Sequence, residues 1–182
     1  MNPLFFHNQF YAQFRAPNAD ELTSYVLNKT ENYSHYEWAE ACVLKTITCP
    51  HQEVKELLSP SIRLFGEKLR NSFDCYHGDP WISCYENGSY QEIHDHDAHD
   101  FVSVFFPQEQ EDDFGKFYFY DRNHIQVSNT WKDLIKFSER WIPDVKPGDI
   151  MFFPGHILHA VSPHNSDVVR KSFSANFNLI LD

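Results

Sequence analysis

The sequence is short of cysteine. Its 182 residues include four cysteines, and none of them belongs to a Cys-x-x-Cys pair. A chain of this length can bury a hydrophobic core as one domain, so it does not need disulfides for stability. The sequence therefore predicts that Cys42, Cys49, Cys75 and Cys84 are reduced thiols and that the protein is in a cytosolic-type compartment.

The sequence also lacks any apolar run that approaches the length of about 20 residues needed to cross a membrane. Residues 1–7 contain no basic segment leading into a sustained apolar one, so no signal peptide is expected.

Lysine and arginine total 15 against 26 aspartates and glutamates, which gives a net charge of -11. Such a surface repels nucleic-acid phosphates. The sequence predicts a soluble, cytoplasmic protein with no membrane or nucleic-acid partner, and it does not indicate an oligomeric state.

Aromatic residues are abundant, with 17 Phe and 9 Tyr, and they favour sheet over helical bundle. Apolar spacing predicts a short helix over residues 20–27 and a longer one from Pro50 to Leu69. Short strands with turn signals follow, which predicts a mainly β fold with flanking α-helices, a sandwich or jelly roll covered on one side. The predicted strands are residues 81–85, 90–96, 101–106, 116–120, 149–153, 159–162 and 172–181, with a helical insertion over 131–141, an edge strand or arm over 1–18, and an ambiguous stretch over 36–48.

Residues 94–100 hold three histidines and three aspartates directly before an apolar strand. Residues i and i+2 of a strand point to the same face, so His94 and His96 can hold one metal ion while Asp95 points away. A metal needs at least a third ligand. His159 is the best candidate because it begins an apolar strand, whereas His156 follows Pro-Gly and is expected in a turn.

A third cluster lies near the end of the chain, in Arg170-Lys171-Ser172. Strand spacing places the Arg170 guanidinium and the Ser172 hydroxyl on one face. A planar guanidinium beside a hydroxyl is suited to holding a carboxylate in an enclosed site.

The order of these motifs resembles that of the iron(II)- and 2-oxoglutarate-dependent dioxygenases. The likeness is greatest to the prolyl-hydroxylase-like branch and to the small, often phage-encoded oxygenases related to it, and it spans residues 81–179. Each motif is short, and their order and spacing together carry the resemblance. The motifs are Tyr85-x-x-Gly88, His94-x-His96, an acidic turn with Phe114-Gly115, Pro147-Gly148-Asp149, Phe153-Pro154, His159-x-Val161-x-Pro163 and Arg170-x-Ser172.

The resemblance implies a double-stranded β-helix, a cupin-like jelly roll with N-terminal helices packed on the major sheet. It implies one oxygenase-like domain over residues 1–182, with an arm and supporting helices over 1–80 and the jelly-roll core over 81–182. The implied cofactors are Fe(II), 2-oxoglutarate as a small-molecule co-substrate, and dioxygen. The implied activity is hydroxylation of a C–H bond, on a prolyl or other protein side chain or on a small molecule.

Carried over position by position, the resemblance implies that His94 and His159 bind iron. It implies that Arg170 and Ser172 bind the far carboxylate of 2-oxoglutarate, and that Tyr85 faces the same co-substrate. No catalytic residue is expected beyond the metal centre, because the metal and the co-substrate carry the chemistry and the protein orients them.

One position departs from the family. The usual ligand set is His-x-Asp…His, and the place of its aspartate is taken here by His96. His96 is a ligand, or a bulge brings Asp97 or Asp95 to the metal, or the acidic group comes from elsewhere. Strand spacing favours His96, because it shares the face of His94 without distortion. An all-histidine set leaves the iron site one charge unit more positive.

A literal His-x-Asp pair exists in His77 and Asp79, which makes these two residues the second candidate for a metal pair. His51 and Glu53 form a His-x-Glu pair, but residues i and i+2 of a helix do not face together. Both pairs are expected at the surface.

Two other function classes fit the same clusters. One is a cupin-like metal- or ligand-binding module without redox turnover. The other is a metal-dependent hydrolase, in which Asp97 or Asp100 would act as general base. If the protein is an oxygenase, we expect a pocket in which Arg170 converges on the metal. If it is a simple binding module, we expect no such convergence.

Overall fold

The computed structural model describes residues 11–30, 33–37, 43–69, 73–96, 98–121, 128–135 and 138–180. These residues form a mainly β structure with three helices. The helices are α1 (Ala19–Asn28), α2 (His51–Lys68) and α3 (Asn129–Ile135). The strands are β1 (Ala12–Arg15), β2 (Tyr33–Glu37), β3 (Val43–Thr48), β4 (Asp74–His77), β5 (Trp81–Tyr85), β6 (Gln91–His94), β7 (Phe101–Phe106), β8 (Phe117–Tyr120), β9 (Arg140–Trp141), β10 (Asp149–Pro154), β11 (His159–Val161) and β12 (Arg170–Ile180).

The strands form two antiparallel sheets. The larger sheet has the order β1-β10-β7-β12-β5-β3-β2, and β4 pairs with the far end of β12. The smaller sheet has the order β6-β11-β8-β9. β12 lies at the centre of the larger sheet and pairs with β7 on one side and β5 on the other. The edge strands β1 and β2 come from the first forty residues, whereas the central strand β12 comes from the last part of the chain.

The two faces of the larger sheet bury different partners, because successive strand residues point to opposite sides. On the outer face, Phe152 of β10 stacks on Phe65 of α2 with 4.5 Å between the ring centroids. Its neighbours Met151 and Phe153 belong to the core between the two sheets, together with Phe117 of the smaller sheet. The helices α1 and α2 therefore cover one face of the larger sheet, and the smaller sheet covers the other.

Most predicted elements are present, with α1, α2 and the strands of the second half close to their expected positions. The helix predicted over 131–141 is wrong in its second part: α3 ends at Ile135, and Arg140–Trp141 pair with β8. The first eighty residues supply strands as well as helices. The ambiguous stretch over 36–48 contains β3, whose partner β5 lies more than thirty residues away and is not visible in a local pattern. That residues 1–182 are one domain stays a prediction.

In the part of the chain that the structure describes, no helix combines the length and the apolar character required to cross a membrane.

Candidate active site

His94 and His159 face each other across the smaller sheet. They are Cα partners in the antiparallel pair of β6 and β11, and their ring centroids lie 4.2 Å apart. Nδ1 of His94 lies 2.7 Å from the carbonyl oxygen of Glu92, and Nδ1 of His159 lies 2.9 Å from that of Ile157. A carbonyl only accepts, so we assign the proton of each ring to Nδ1. This leaves both Nε2 atoms unprotonated, as in histidine metal ligands generally, and the Gln91 amide nitrogen that lies 3.3 Å from Nε2 of His94 would turn away from a bound metal.

His96 joins this pair from outside the strand. β6 ends at His94, so the prediction that both histidines occupy one strand is wrong. The chain turns after His96, whose N–H donates to the carbonyl oxygen of Gly155 at 2.7 Å. Its ring nevertheless lies parallel to that of His159, with 5.1 Å between centroids. Tertiary contact, rather than strand alternation, therefore brings the third histidine to the site.

The three rings form a site of the size and chemistry that a metal requires. One nitrogen from each of His94, His96 and His159 lies within 4.8 Å of the other two, and no other group of three potential ligands does so among the described residues. Small rotations would let each nitrogen approach a single ion to about 2.1 Å. Imidazole nitrogen suits iron and zinc alike, so the donor set fits iron without excluding other divalent ions.

Burial keeps these histidines neutral. It lowers the pKa of His94, and it lowers the pKa of His159 well below the ordinary value. Burial, together with the neighbouring His94 and His99, lowers the pKa of His96 to about 4. A neutral imidazole offers a lone pair, whereas an imidazolium does not. All three candidate ligands are therefore in the metal-binding form near neutral pH.

Arg170 is a buried cation, and no described residue supplies it with an anionic partner. Its side chain is at the start of β12, and the residue is only 1% exposed. Nε donates to Oε1 of Gln110 at 3.2 Å, and the guanidinium carbon lies 4.7 Å from the ring centroid of Tyr85. Among the described residues Nη1 has no hydrogen-bond partner, and no carboxylate forms an ion pair with Arg170. Burial lowers the pKa of this guanidinium, while Tyr85 acts in the opposite direction.

An unpaired buried charge costs several kcal/mol, which a bound anion would offset. The orphaned Nη1 thus indicates an anionic ligand at this position. Ser172 follows on the same face of β12, and both residues line a narrow cavity between the sheets. The cavity is small, with a volume of about 20 Å³. Its lining includes every residue that the sequence assigned to the site: Tyr85, His94, His96, His159, Arg170 and Ser172.

Gln91 was not predicted as a site residue, although it contacts both Tyr85 and His94 in the narrow cavity. Its Oε1 accepts a hydrogen bond from the Tyr85 hydroxyl at 3.0 Å, and its Nε2 lies 3.3 Å from Nε2 of His94. Asn176 was also missed, and it contacts His96. The alternation of β12 could have indicated Asn176, because it continues the face of Arg170, Ser172 and Ser174, which line the narrow cavity. No local signal marks Gln91.

The aspartates near the triad have different positions. Asp95 lines a second cavity beside His94 and His96. The carboxylate of Asp100 is exposed and accepts the backbone N–H of Leu179 at 2.8 Å, so it does not line either cavity at the triad. Asp97 lies outside the described residues. A general base for a hydrolase is therefore not provided by Asp100.

The second candidate pair does not form a three-ligand metal site. His77 is buried, which contradicts its expected surface position, and its Nδ1 lies 3.1 Å from Nδ1 of His51. Asp79 is turned instead to the start of α2, where its Oδ1 accepts the backbone N–H of His51 at 2.9 Å. Glu53 pairs with Lys29 at 2.9 Å. His77 and Asp79 thus contact the start of α2, and Glu53 joins α2 to the end of α1, so these residues do not converge on one point.

Comparison with known proteins agrees with this geometry. Residues 79–176, more than half of the chain, match a protein-family model described as "Putative 2OG-Fe(II) oxygenase". A comparison with curated proteins finds no match. The matched segment contains every residue assigned to the triad and to the Arg170 end of the cavity.

Solved structures with the same fold include an oxidoreductase of the 2OG-Fe(II) oxygenase family from Burkholderia pseudomallei. It has a TM-score of 0.66 at 12% identity, over 92% of this chain and 84% of that one. A prolyl-4-hydroxylase from Pseudomonas putida has a TM-score of 0.63 at 12% identity, over 94% and 93% of the two chains. A Trichoplax adhaerens prolyl hydroxylase, solved with a peptide fragment of hypoxia inducible factor, has a TM-score of 0.67 at 14% identity, over 92% and 83%. Likeness at these identities shows the fold, and the predicted double-stranded β-helix is confirmed.

Proposed function

We propose, from the premise that this chain belongs to the 2OG-Fe(II) oxygenase family, that His94, His96 and His159 bind its iron. The family uses Fe(II), 2-oxoglutarate and dioxygen, and the enzyme is accordingly an oxidoreductase. Three neutral imidazoles that converge within 4.8 Å support the assignment of the ligands. When bound, iron and 2-oxoglutarate supply the oxidation of a C–H bond by dioxygen, with one oxygen atom going to the substrate, the other to succinate, and carbon dioxide released.

Arg170 binds the far carboxylate of 2-oxoglutarate in this proposal, and the single observation that carries it is the buried Nη1, which has no hydrogen-bond partner in the part of the chain that the structure describes. Ser172 adds a hydroxyl on the same face of β12, and Tyr85 covers the guanidinium with its ring. A charge-assisted hydrogen bond of this kind contributes about 1.5–3 kcal/mol. Phe117, Val102 and Val104 complete the walls of the cavity and exclude water from it.

The ligand set is all-histidine. His96 takes the place that an aspartate occupies in the usual set, and its hydrogen bond to Gly155 supports this position. Without a carboxylate, the metal site carries one more unit of positive charge than the usual set. This charge favours binding of the dianionic co-substrate, which the Arg170 guanidinium also attracts.

Hydroxylation acts on a prolyl or other protein side chain, or on a small molecule. The prolyl hydroxylases among the similar folds, one of them solved with a peptide, support the first class. We assign the enzyme to the cytoplasm, which the free thiols of Cys49, Cys75 and Cys84 support. The net charge of -11 argues against a nucleic-acid partner.

Anaerobic titration tests the proposal. Fe(II) is added first and 2-oxoglutarate second, and the weak visible charge-transfer band of an iron-chelated keto acid is recorded. The band is expected in the wild-type protein. The Arg170→Met variant should bind Fe(II) normally but need at least about tenfold more 2-oxoglutarate, the equivalent of about 1.4 kcal/mol.

Arg63→Met is the matched control, because Arg63 is exposed on α2 and lines neither cavity at the triad. It should titrate like the wild-type protein. Absence of the band in the wild-type protein, under conditions where an established oxygenase of the family gives one, would contradict the proposed function.

A further inference from the structure

A second, wider cavity opens beside the triad. It has a volume of about 440 Å³ and shares His94 and His96 with the narrow cavity. One wall is the strand β3, whose alternate residues Leu44, Thr46 and Thr48 face it. A cavity of this size holds a small molecule or one long side chain. Its position places such a molecule directly against the proposed iron ligands.

The β3 wall lies outside the segment that matches the family model, which begins at residue 79. It is therefore contributed by this chain's own N-terminal part. The cation on the same strand, Lys45, alternates to the other face and pairs with Glu86 at 2.6 Å. Selectivity at this wall consequently depends on residues that the family match does not cover.

The charged side chains around the cavity have one sign, and in the proposed function the dianionic 2-oxoglutarate balances the two positive charges of iron. Asp79 and Asp95 supply carboxylates, and no lysine or arginine lines the cavity among the described residues. Asp79 is exposed and held in place, since its Oδ1 accepts the N–H of His51. The net charge of -11 adds to the same potential. A cationic ligand is attracted to such a lining and an anionic one is repelled.

The uncharged polar groups also favour a hydrogen-bond donor. Oδ1 of Asn176, a lining residue, is buried and has no hydrogen-bond partner among the described residues. Trp81 stands beside the triad, with its ring centroid 6.1 Å from that of His96. The face of an indole attracts a cation. A protonated amine, which has three donors and no acceptor, matches two carboxylates, an amide oxygen and an aromatic face.

We propose, resting on the function proposed above, that the substrate carries a protonated amine that binds at Asp79 and Asp95. The carbon to be hydroxylated then lies toward His94 and His96. In the reaction a C–H bond of the substrate breaks and a C–OH bond forms, while 2-oxoglutarate is oxidised to succinate and carbon dioxide and dioxygen is reduced. The amine is a binding group and is unchanged.

Binding to the redox-inert protein, loaded with Zn²⁺ and 2-oxoglutarate, tests this inference without turnover. Two matched pairs of probes are compared by calorimetry. N-acetyl-lysine methylamide and its norleucine counterpart represent a protein side chain, and glucosamine and glucose represent a free small molecule. In at least one pair the amine should bind at least about tenfold more tightly than its neutral partner. The pair that shows this preference indicates whether the substrate is a protein side chain or a free small molecule.

Asp79→Asn with Asp95→Asn should reduce that preference severalfold, because asparagine keeps the shape and removes the charge. Asp133→Asn, in which one exposed charge is removed from α3, should leave it unchanged. In the wild-type protein, raised salt should weaken binding of the amine more than that of the neutral partner. The salt series remains decisive if the double variant does not fold.

Equal or tighter binding of the neutral partners in both pairs would overturn the inference, as would no binding of either amine at millimolar concentration. Binding of Zn²⁺ and 2-oxoglutarate is measured first in the same protein. If they bind and the amines do not, the substrate class is wrong and the proposed function stands. If they do not bind, the proposed function itself fails.

Discussion

The backbone N–H of His96 donates to the carbonyl oxygen of Gly155 at 2.7 Å, and this contact holds a candidate iron ligand beyond the end of its strand. The two segments approach so closely that a Cβ atom on Gly155 would lie 2.0 Å from the carbonyl oxygen of His99 and 2.7 Å from that of His96. Glycine is needed here for space. The N–H of Gly155 also donates to the carbonyl oxygen of Asp100, so both ends of the turn rest on this residue.

Gly155→Ala should therefore displace the turn that carries His96. We expect Fe(II) affinity to fall at least about tenfold, and the free energy of unfolding to fall by about 1–3 kcal/mol from overpacking. Metal titration and urea denaturation measure the two effects. Gly78→Ala is the control, since a Cβ there meets nothing within 4 Å. Unchanged metal affinity in Gly155→Ala would show that His96 does not depend on this contact.

The identity of the second ligand is testable by alanine substitution. His96→Ala should weaken Fe(II) binding by more than the 10–100-fold typical of losing a group that only orients a ligand. Asp97→Ala should largely preserve binding. His156→Ala controls for loss of a histidine, because His156 is exposed in the turn after β10. The reverse pattern, with Asp97 essential and His96 dispensable, would assign the ligand to Asp97.

Gln110 positions the arginine rather than touching the metal. Its Oε1 accepts the Nε–H of Arg170, and Nζ of Lys116 in turn donates to its backbone carbonyl at 3.2 Å. Gln110→Ala should raise the KM for 2-oxoglutarate severalfold while kcat and Fe(II) affinity stay near wild-type values. Steady-state succinate formation separates the two parameters. Glu109→Ala, at an exposed neighbour, should change neither. A fall in kcat with unchanged KM would contradict a positioning role.

Acid should destabilise the metal-free protein, partly through His77. Burial lowers the pKa of His77, and His51 and Lys55 act in the same direction while the Gly78 carbonyl opposes them. The unfolded chain then binds this proton more readily than the folded protein does, so the free energy of unfolding falls as pH decreases below about 6.5. The buried triad histidines contribute with the same sign.

Replacement of His77 by glutamine should make the dependence of unfolding free energy on pH shallower between about pH 7 and 5, because one of these contributions is removed. Urea denaturation at several pH values measures the slope. His156→Gln, at an exposed position, should keep the wild-type slope. An unchanged slope in the His77 variant would mean that this ring protonates equally in both states.

Patterns in the sequence were enough to predict the class of the fold and most of the chemistry of the site. Strand periodicity and turn residues are local signals, so β5, β7, β8, β10 and β12 could be predicted from short windows. The shared face of Arg170 and Ser172 followed from strand alternation, which depends only on neighbours in the chain. That His94 and His159 act together was implied by the resemblance to the oxygenase family, and the structure pairs them across two strands.

Tertiary structure decided the rest, because the deciding contacts join residues far apart in sequence. His96 reaches the triad through Gly155 and not through strand spacing. β3 becomes a wall of the wider cavity through its pairing with β5, and Gln91 becomes a site residue through Tyr85 and His94. That no described residue bonds to Nη1 of Arg170 depends on side chains from several distant parts of the chain. No window of sequence contains all of those side chains, and the folded chain alone brings them together.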